Sequence, residues 1–480
     1  MGNTEIAKKI NILCLLIAII TVLVLPLKKE IWYDESISML CSKGITYDTP
    51  ASFADSTTIS SGTIKQLNTL HNVYIATIND NGNSLLYNVG LHWFTMLPGN
   101  SIPAYMLMSK LSSILALLAF FVLCRLFMKD SIFTGVAVLL LMTDLNFIGM
   151  SHEIRAYSMG TFFIVLAGVY FYKFMYEEEK PVHFFWTALF SVAAVLSHYL
   201  SFYVILVFLG YLLVVKKGRL FSVKNLVAIA IPVAIIGVYI YFAFIGLKYM
   251  SAQNQAIAHK VAAKPFTALH VIITSMALGA VDFKVVLSAF GEKTVAIVVG
   301  FLVVVGLYVF AVLKTSDKVE KRNLHLLFIL GASGSVFLAA LCLKSHHYTA
   351  LYSRYHSFCT PYACLFMAYL MYVLSKNAGV NKLVMGGVMA VTLAPSFLLF
   401  IINLKKNNPE VKYSHISIAK EIVNDKVARI EVPEWDDALL IQTMLPDDCK
   451  IDYVLNKSSA YFTLYKTNAI ERVTIIKTTN

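Results

Sequence analysis

Two adjacent carboxylates, Asp34 and Glu35, follow the first long apolar run of the chain, Ile10 to Leu27, in the tetrapeptide Trp32-Tyr33-Asp34-Glu35. Neighbours on a helix diverge by about 100°, so only one of the pair can aim at a given reacting atom. A carboxylate held there suits general-base work, or acceptance of a hydrogen bond from an incoming hydroxyl. The alternative is a Trp-Tyr interfacial anchor with solvated acids behind it. Spacing alone leaves both open.

A second constellation is Ser151-His152-Glu153-Ile154-Arg155-Ala156-Tyr157, which reads as a very short loop. Glu153 can support a catalytic acid or hold a cation. Arg155 can fork onto phosphate oxygens. The plainer reading is a Glu153–Arg155 pair that caps two helices. Asp144, inside an apolar run, reads as a buried partner of Lys110 or Arg155 rather than a catalytic group. His198-Tyr199 interrupts another apolar stretch, as a satisfied helix end or as a hydrogen-bond donor to a lipid phosphate. The segment from Lys344 to His356 is basic and rich in Tyr and His, and carries Arg354 and Tyr355 just before Pro361. Such a rim suits a phosphorylated amphiphile, but snorkelling cations and tyrosines are also ordinary at an interface. His346, His347 and His356 lack a zinc spacing. A divalent cation remains possible, with Glu153 or Glu35 to hold it.

The elements that position these residues are membrane helices. The 480-residue chain is 58% hydrophobic and only 14% charged, with mean hydropathy +0.69; soluble domains run near ~25% charged. A spanning helix needs about 20 apolar residues. The candidate spans are 10–27, 104–126, 131–149, 157–175, 184–199, 200–215, 224–246, 294–313, 324–343, 358–375 and 383–403. Lys8, Lys9, Arg125, Lys129, Lys173, Lys180, Lys216, Lys217, Arg219, Lys224, Lys314, Lys318, Lys321, Arg322, Lys376 and Lys382 then fall on one side. That side is cytoplasmic by the positive-inside rule, which leaves the C-terminus outside. The N-terminal run reads as a retained span rather than a cleaved signal.

The fold class this implies is a polytopic α-helical membrane protein of about eleven spans, with a long first outer loop and a small C-terminal α+β domain. The domains are 1–403 and 404–480, with outer loops at 28–103 and 247–293. Leu85, Leu86, Val89, Trp93 and Leu97 recur at helical spacing and predict an amphipathic surface helix. The tail predicts a helix from Ser414 to Asn424, then strands near Ala438–Met444, Ile451–Leu455, Phe462–Lys466 and Val473–Lys477. It is electrically neutral, so the net charge of +12 lies in the membrane part and argues for topology signals, not nucleic acid. Of seven cysteines, only Cys41 and Cys449 fall in external segments, where a bridge is possible.

Acids and cations on one face, drawn from separate loops, suit transfer of a group from a phosphate leaving group to a hydroxyl or amine. Sugar nucleotides are cytoplasmic, so an enzyme on the outside would draw on a lipid-linked donor. The ordered motifs resemble the GT-C superfamily of membrane glycosyltransferases, closest to the bacterial branch akin to protein O-mannosyltransferases and lipid A aminoarabinose transferases. The residues that carry this are Tyr33-Asp34-Glu35-Ser36, Gly82-Asn83-Ser84-Leu85-Leu86-Tyr87, Ser151 to Tyr157, Ser197-His198-Tyr199, and Ser353-Arg354-Tyr355 with Pro361. They cover roughly residues 10–400. The family's His-Pro-Pro-Leu-Tyr reads Asn83-Ser84-Leu85-Leu86-Tyr87 here, and Lys110 replaces an arginine of the second span. The proline often found late in the third span is absent around Asp144.

The resemblance implies an inverting glycosyltransferase of the bacterial plasma membrane, with a polyprenyl-phosphate-linked sugar as donor and a glycan, glycolipid or protein acceptor. It makes Asp34 the catalytic base and Glu35 the second acid. Arg155, Arg354, His198, Lys110 and Tyr355 become donor-phosphate ligands, with Glu153 a supporting acid. No organic cofactor is implied. Two rivals remain. A glycan polymerase or ligase using a lipid-linked oligosaccharide would carry a large Arg- and His-rich outer loop. A flippase or transporter would place charged or broken helices at mid-membrane, in two related halves.

Overall fold

The computed structural model describes residues 2–24, 33–45, 58–62, 68–80, 83–95, 102–177, 179–216, 221–258, 294–345, 353–377, 415–432, 435–445, 449–456, 462–466 and 470–473. Trp32, Gly82, His346, His347 and the expected span 383–403 lie outside them. So do most of the 247–293 segment and the stretch 474–480.

In chain order, α1 (Gly2–Val24) leads to α2 (Tyr33–Ser42), strand β1 (Thr58–Ser60), α3 (Leu70–Asn79) and α4 (Leu85–Thr95). Then come α5 (Ile102–Met128), α6 (Ile132–Thr143), α7 (Leu145–Ser151) and α8 (Tyr157–Tyr172), the last running on into a π-turn at Lys173–Glu177. α9 (Pro181–Ser197) and α10 (Phe202–Lys216) meet through a 3₁₀ turn at Tyr199–Ser201, and α11 (Val223–Ala258), α12 (Thr294–Lys314), α13 (Lys318–Ser345) and α14 (Thr360–Asn377) follow. The tail holds α15 (His415–Asn424), β2 (Arg429–Val432), α16 (Trp435–Met444), β3 (Asp452–Leu455), β4 (Phe462–Tyr465) and β5 (Ile470–Val473).

Five of these stretches are long and apolar enough to cross a membrane: Thr4–Val24, Ala104–Met128, Tyr157–Glu177, Tyr199–Lys216 and Val223–Tyr241. Ile132–Thr143, Pro181–Ser197 and Leu302–Lys314 are shorter apolar helices. Helices satisfy their own backbone polar groups, which lipid cannot do. The bundle core is built of α5, α6, α8, α10, α13 and α14, with Phe120, Leu140, Tyr157, Phe208, Leu327 and Tyr362 all buried. Asn11 ties α1 to α6: its amide donates to Ser131 O at 3.0 Å and accepts Gly135 N–H at 2.9 Å. Gly135 N–H is among the orphan donors of a helix start, and α1 caps it from outside.

The charged pairs Arg125–Asp130, Lys216–Glu179 and Lys376–Glu320 gather at one end of the bundle. Glu320 also accepts from Thr315 Oγ1 and Asn377 Nδ2, each at 2.8 Å. At the other end lie α2, α3, α4, α7 and the tail.

The tail's sheet takes in a strand from the first loop. Its strand order is β1-β3-β2-β4-β5, with β1 at the edge. β1 runs antiparallel to β3, with Ile59 opposite Tyr453. β2 and β3 are parallel and joined through α16, the crossover that parallel neighbours require. One apolar cluster joins Ile59, Ile430, Tyr453 and Leu464 of the sheet to Ile418 and Leu439, and on to Met39 and Leu40 of α2, Leu91 of α4 and Ile154. The tail thus packs onto the helix that carries Asp34.

Several expectations are corrected here. The segment 438–444, expected as a strand, is the helix α16. β2 was not anticipated; the last described strand is Ile470–Val473, and the expected strand Val473–Lys477 lies outside the described residues beyond Val473. The third span breaks at Asp144, whose carboxylate accepts Phe147 N–H at 2.8 Å and caps α7. Asp144 is therefore a helix junction, an Asp at an N-cap being a strong helix starter. Cys41 and Cys449 are both free thiols.

Candidate functional site

α2 opens with Asp34 and Glu35 in its first turn, where the helix dipole favours carboxylates. Their side chains diverge. Asp34 Oδ2 lies 3.6 Å from Arg354 Nη2 and 3.9 Å from Arg155 Nη2. Glu35 is fully buried, and its Oε1 accepts Ile154 N–H at 2.8 Å. The second acid of the pair thus fastens the 152–156 loop to α2, while the first faces two guanidiniums.

Arg155 is fixed by that same docking. Its Nη1 donates to Asp34 O at 2.8 Å and to Ser38 Oγ at 3.2 Å, on successive turns of α2. The Arg155 side chain is 10% exposed, whereas Asp34 and Arg354 are 24% and 25% exposed, so the acid and the second arginine stay accessible. Burial opposes the charge on Arg155, but Tyr157, Asp34 and Asp80 outweigh it, and the group titrates above its ordinary range. Burial likewise opposes Arg354, which Tyr157, Tyr355 and Asp34 hold protonated. Arg155 pairs with Asp34 at 3.9 Å. Glu153 lies on the same loop, half-buried.

Aromatic rings wall the cluster. The Arg354 guanidinium lies 5.3 Å from the Tyr355 ring centre, and that of Arg155 5.9 Å from Tyr157. His198 stacks on Tyr157 at 4.8 Å and touches Phe358 at 5.3 Å. The Tyr355 carbonyl accepts the Tyr203 hydroxyl at 3.0 Å, which pins the 3₁₀ turn of Ser353–His356 to α10. His198 accepts Leu200 N–H on Nδ1 at 3.2 Å, so its proton sits on Nε2. Burial, then Arg155 and Arg354, push its pKa well below the usual range, so it is a neutral donor. Burial also lowers His356, to about 4.

Lys110 stands apart from this arrangement, donating to Leu23 O at 3.2 Å. α4 forms as the spacing predicts, but its inward face is Tyr87, Asn88, Leu91 and His92, with Trp93 exposed. Tyr87 meets Ser109 Oγ at 3.0 Å, Asn88 donates to Thr77 at 3.1 Å, and His92 Nδ1 lies 2.9 Å from Ser42 O. These polar contacts lock α4 against α2, α3 and α5. Among the described residues, no three His, Cys, Asp or Glu side chains gather as metal ligands.

Asp80 was missed in the sequence. It caps the C-terminus of α3, and its carboxylate interacts electrostatically with both Arg155 and Asp34. Burial raises its pKa to about 6, with Arg155 opposing and Asp34 adding to the rise. Its only sequence signal is the turn signature Asn79-Asp80-Asn81-Gly82, which speaks of backbone rather than chemistry. The completed arrangement can hold an anion on two guanidiniums beside a carboxylate able to take a proton. Comparison with protein-family models, curated proteins and solved structures finds no match for this chain.

Proposed function

We propose that the chain is an inverting glycosyltransferase of the bacterial plasma membrane. It moves a sugar from a polyprenyl-phosphate donor to a hydroxyl or amine of a glycan, glycolipid or protein. The observation that carries this reading is the meeting of Asp34 with Arg155 and Arg354, at 3.9 and 3.6 Å, at one end of an apolar helix bundle. Those distances are ion-pair rather than hydrogen-bond distances, so a substrate oxygen can enter without breaking a short contact. Asp34 would take the proton of the acceptor as it attacks the anomeric carbon. The bond from that carbon to the phosphate oxygen breaks, and the departing phosphate gains charge against the two guanidiniums. His198 would add a neutral Nε2–H donor, and Tyr355 a ring wall.

The finer parts of this reading are eleven spans, a cytoplasmic N-terminus and an extracytoplasmic site. The cations Arg125, Lys216, Lys314 and Lys376 at the far end of the bundle support that orientation. The test is transfer in membrane vesicles supplied with a polyprenyl-phosphate sugar. Asp34→Asn should abolish product while the protein accumulates normally. Full transfer by the variant would remove Asp34 from the mechanism, and uptake of the lipid without covalent product would favour a transporter.

A further inference from the structure

We propose that the Tyr157 hydroxyl is a further ligand of the donor phosphate, giving a neutral hydrogen bond to the anion that Arg155 and Arg354 hold. This rests on the reading of those two arginines as the phosphate site.

Tyr157 is fully buried at the start of α8, two residues after Arg155. Its ring centre lies 5.9 Å from the Arg155 guanidinium, 4.8 Å from the His198 ring and 6.3 Å from that of Tyr355. Among the described residues, no group accepts the proton of its hydroxyl. The Arg155 guanidinium beside it carries only donors and cannot take that proton. Tyr355, the other phenol of the cluster, is half-buried, so solvent can reach it. Solvent does not reach Tyr157. A buried hydroxyl without an acceptor costs the folded protein stability, and a phenylalanine would fill the same space without that cost. An oxygen entering the site supplies the acceptor that the resting protein lacks.

Three further observations point to an oxygen-rich anion. The Nε–H of Arg155 is likewise buried without a partner among the described residues. α8 has Ala156 as its N-cap, which offers no side-chain acceptor to the first N–H groups of the helix. The positive end of a 16-residue helix thus begins at Tyr157 itself, directly after the Arg155 loop. Thr161, one turn on along α8, and Ser201, three residues after His198, also bury hydroxyls that no described residue pairs. Polar groups without partners therefore recur on both elements that make the Tyr157–His198 stack. The two guanidiniums supply charge, and the phenol adds direction, since its single O–H donates to one oxygen along one line. No covalent bond changes in this step.

The full-length protein, in nanodiscs of uncharged lipid at pH 7, is titrated calorimetrically with farnesyl methyl phosphate, a singly charged phosphodiester. Tyr157→Phe should bind it about ten- to a hundredfold more weakly than wild type, the usual worth of a hydrogen bond to a charged group. Without the probe, the variant should unfold at the same temperature or a higher one, because an unpaired buried hydroxyl has gone. A hydroxyl that serves only the resting fold gives the reverse pattern, lower stability with unchanged affinity. A variant that unfolds earlier, fails to fold, or binds the phosphate as tightly as wild type overturns the assignment to Tyr157. Absence of binding by the wild type overturns the phosphate-site reading, and this proposal with it.

Discussion

Glu35 Oε1 accepts the Ile154 N–H at 2.8 Å across 119 residues of chain, and this bond sets Asp34 beside Arg155. The fully buried carboxylate holds the loop to α2, while its partly exposed neighbour faces two guanidiniums. Adjacent positions on one helix turn serve both ends because they point about 100° apart.

That division predicts different fates for the two acids. Asp34→Asn should cut transfer by about 10²–10⁴-fold, the usual loss of a general base, with unchanged unfolding temperature in detergent. Glu35→Gln keeps an oxygen for Ile154 N–H and should retain much of the activity. Glu35→Ala leaves a buried donor unpaired and should cost about 1–3 kcal/mol of stability. Equal losses for Asp34→Asn and Glu35→Gln, measured side by side, would reject the division.

The two arginines should differ as well. Arg155 bridges Asp34 O and Ser38 Oγ through one nitrogen while another faces the Asp34 carboxylate, a fork that an ammonium cannot reproduce. Arg155→Lys should therefore lower both thermal stability and kcat/KM. Arg354→Lys, at a more exposed position, should raise donor KM about tenfold with little change in stability. A stable Arg155→Lys enzyme with normal donor KM would show that the fork does not matter.

How much of this was legible follows from the range of each signal. The apolar runs gave the helices, because burial in lipid needs no partner from far along the chain. Asp34, Arg155, His198 and Arg354 were visible because each borders or interrupts an apolar run. Asp80 was not, because nothing near it in sequence shows that its carboxylate feels the charge of Arg155. The strand β1 was hidden for the same reason: Thr58–Ser60 becomes a strand only by pairing with β3, almost four hundred residues on. Ala438–Met444 is a short apolar run, and such runs fit a strand or a buried helix equally well. The break at Asp144 was concealed by apolar residues on both sides of a single capping carboxylate.

Close helix contacts give a stability prediction free of any assumption about function. A Cβ added to Gly168 of α8 would collide with the Tyr362 hydroxyl, which donates to Ile164 O at 2.8 Å. Gly168→Ala should cost about 1–3 kcal/mol, the usual range for overpacking. At Gly210 of α10 nothing lies within 4 Å of the added atom, so Gly210→Ala should be neutral or mildly stabilising. Thermal unfolding of both variants in one detergent decides it, and an undisturbed Gly168→Ala would mean that α8 and α14 pack less closely than described.

Orientation can be read from two thiols. Cys449 is half-buried in the tail, whereas Cys41 is buried and its thiol is held protonated, first by burial and then by Asp80. A membrane-impermeant maleimide added to intact cells should label Cys449 and spare Cys41, since the thiolate is the reactive form. Labelling of Cys449 only after permeabilisation would reverse the proposed topology.

Keeping Asp80 charged costs the folded protein stability. Its carboxyl is pushed up to about 6 in the folded protein, against 3.8 for an ordinary aspartate. The folded state therefore binds this proton more tightly than the unfolded state does. By linkage, stability falls as pH rises from about 4 to about 6, and above that the penalty is fully present. Asp80→Asn removes it, so the variant should unfold at a higher temperature than wild type at pH 7.5. The difference should shrink as pH falls through 6 and vanish toward pH 4. The sign is opposite to that of a carboxylate stabilised by an ion pair, whose removal destabilises at neutral pH. An Asp80→Asn protein less stable than wild type at pH 7.5 would mean that the attraction of Arg155 outweighs burial.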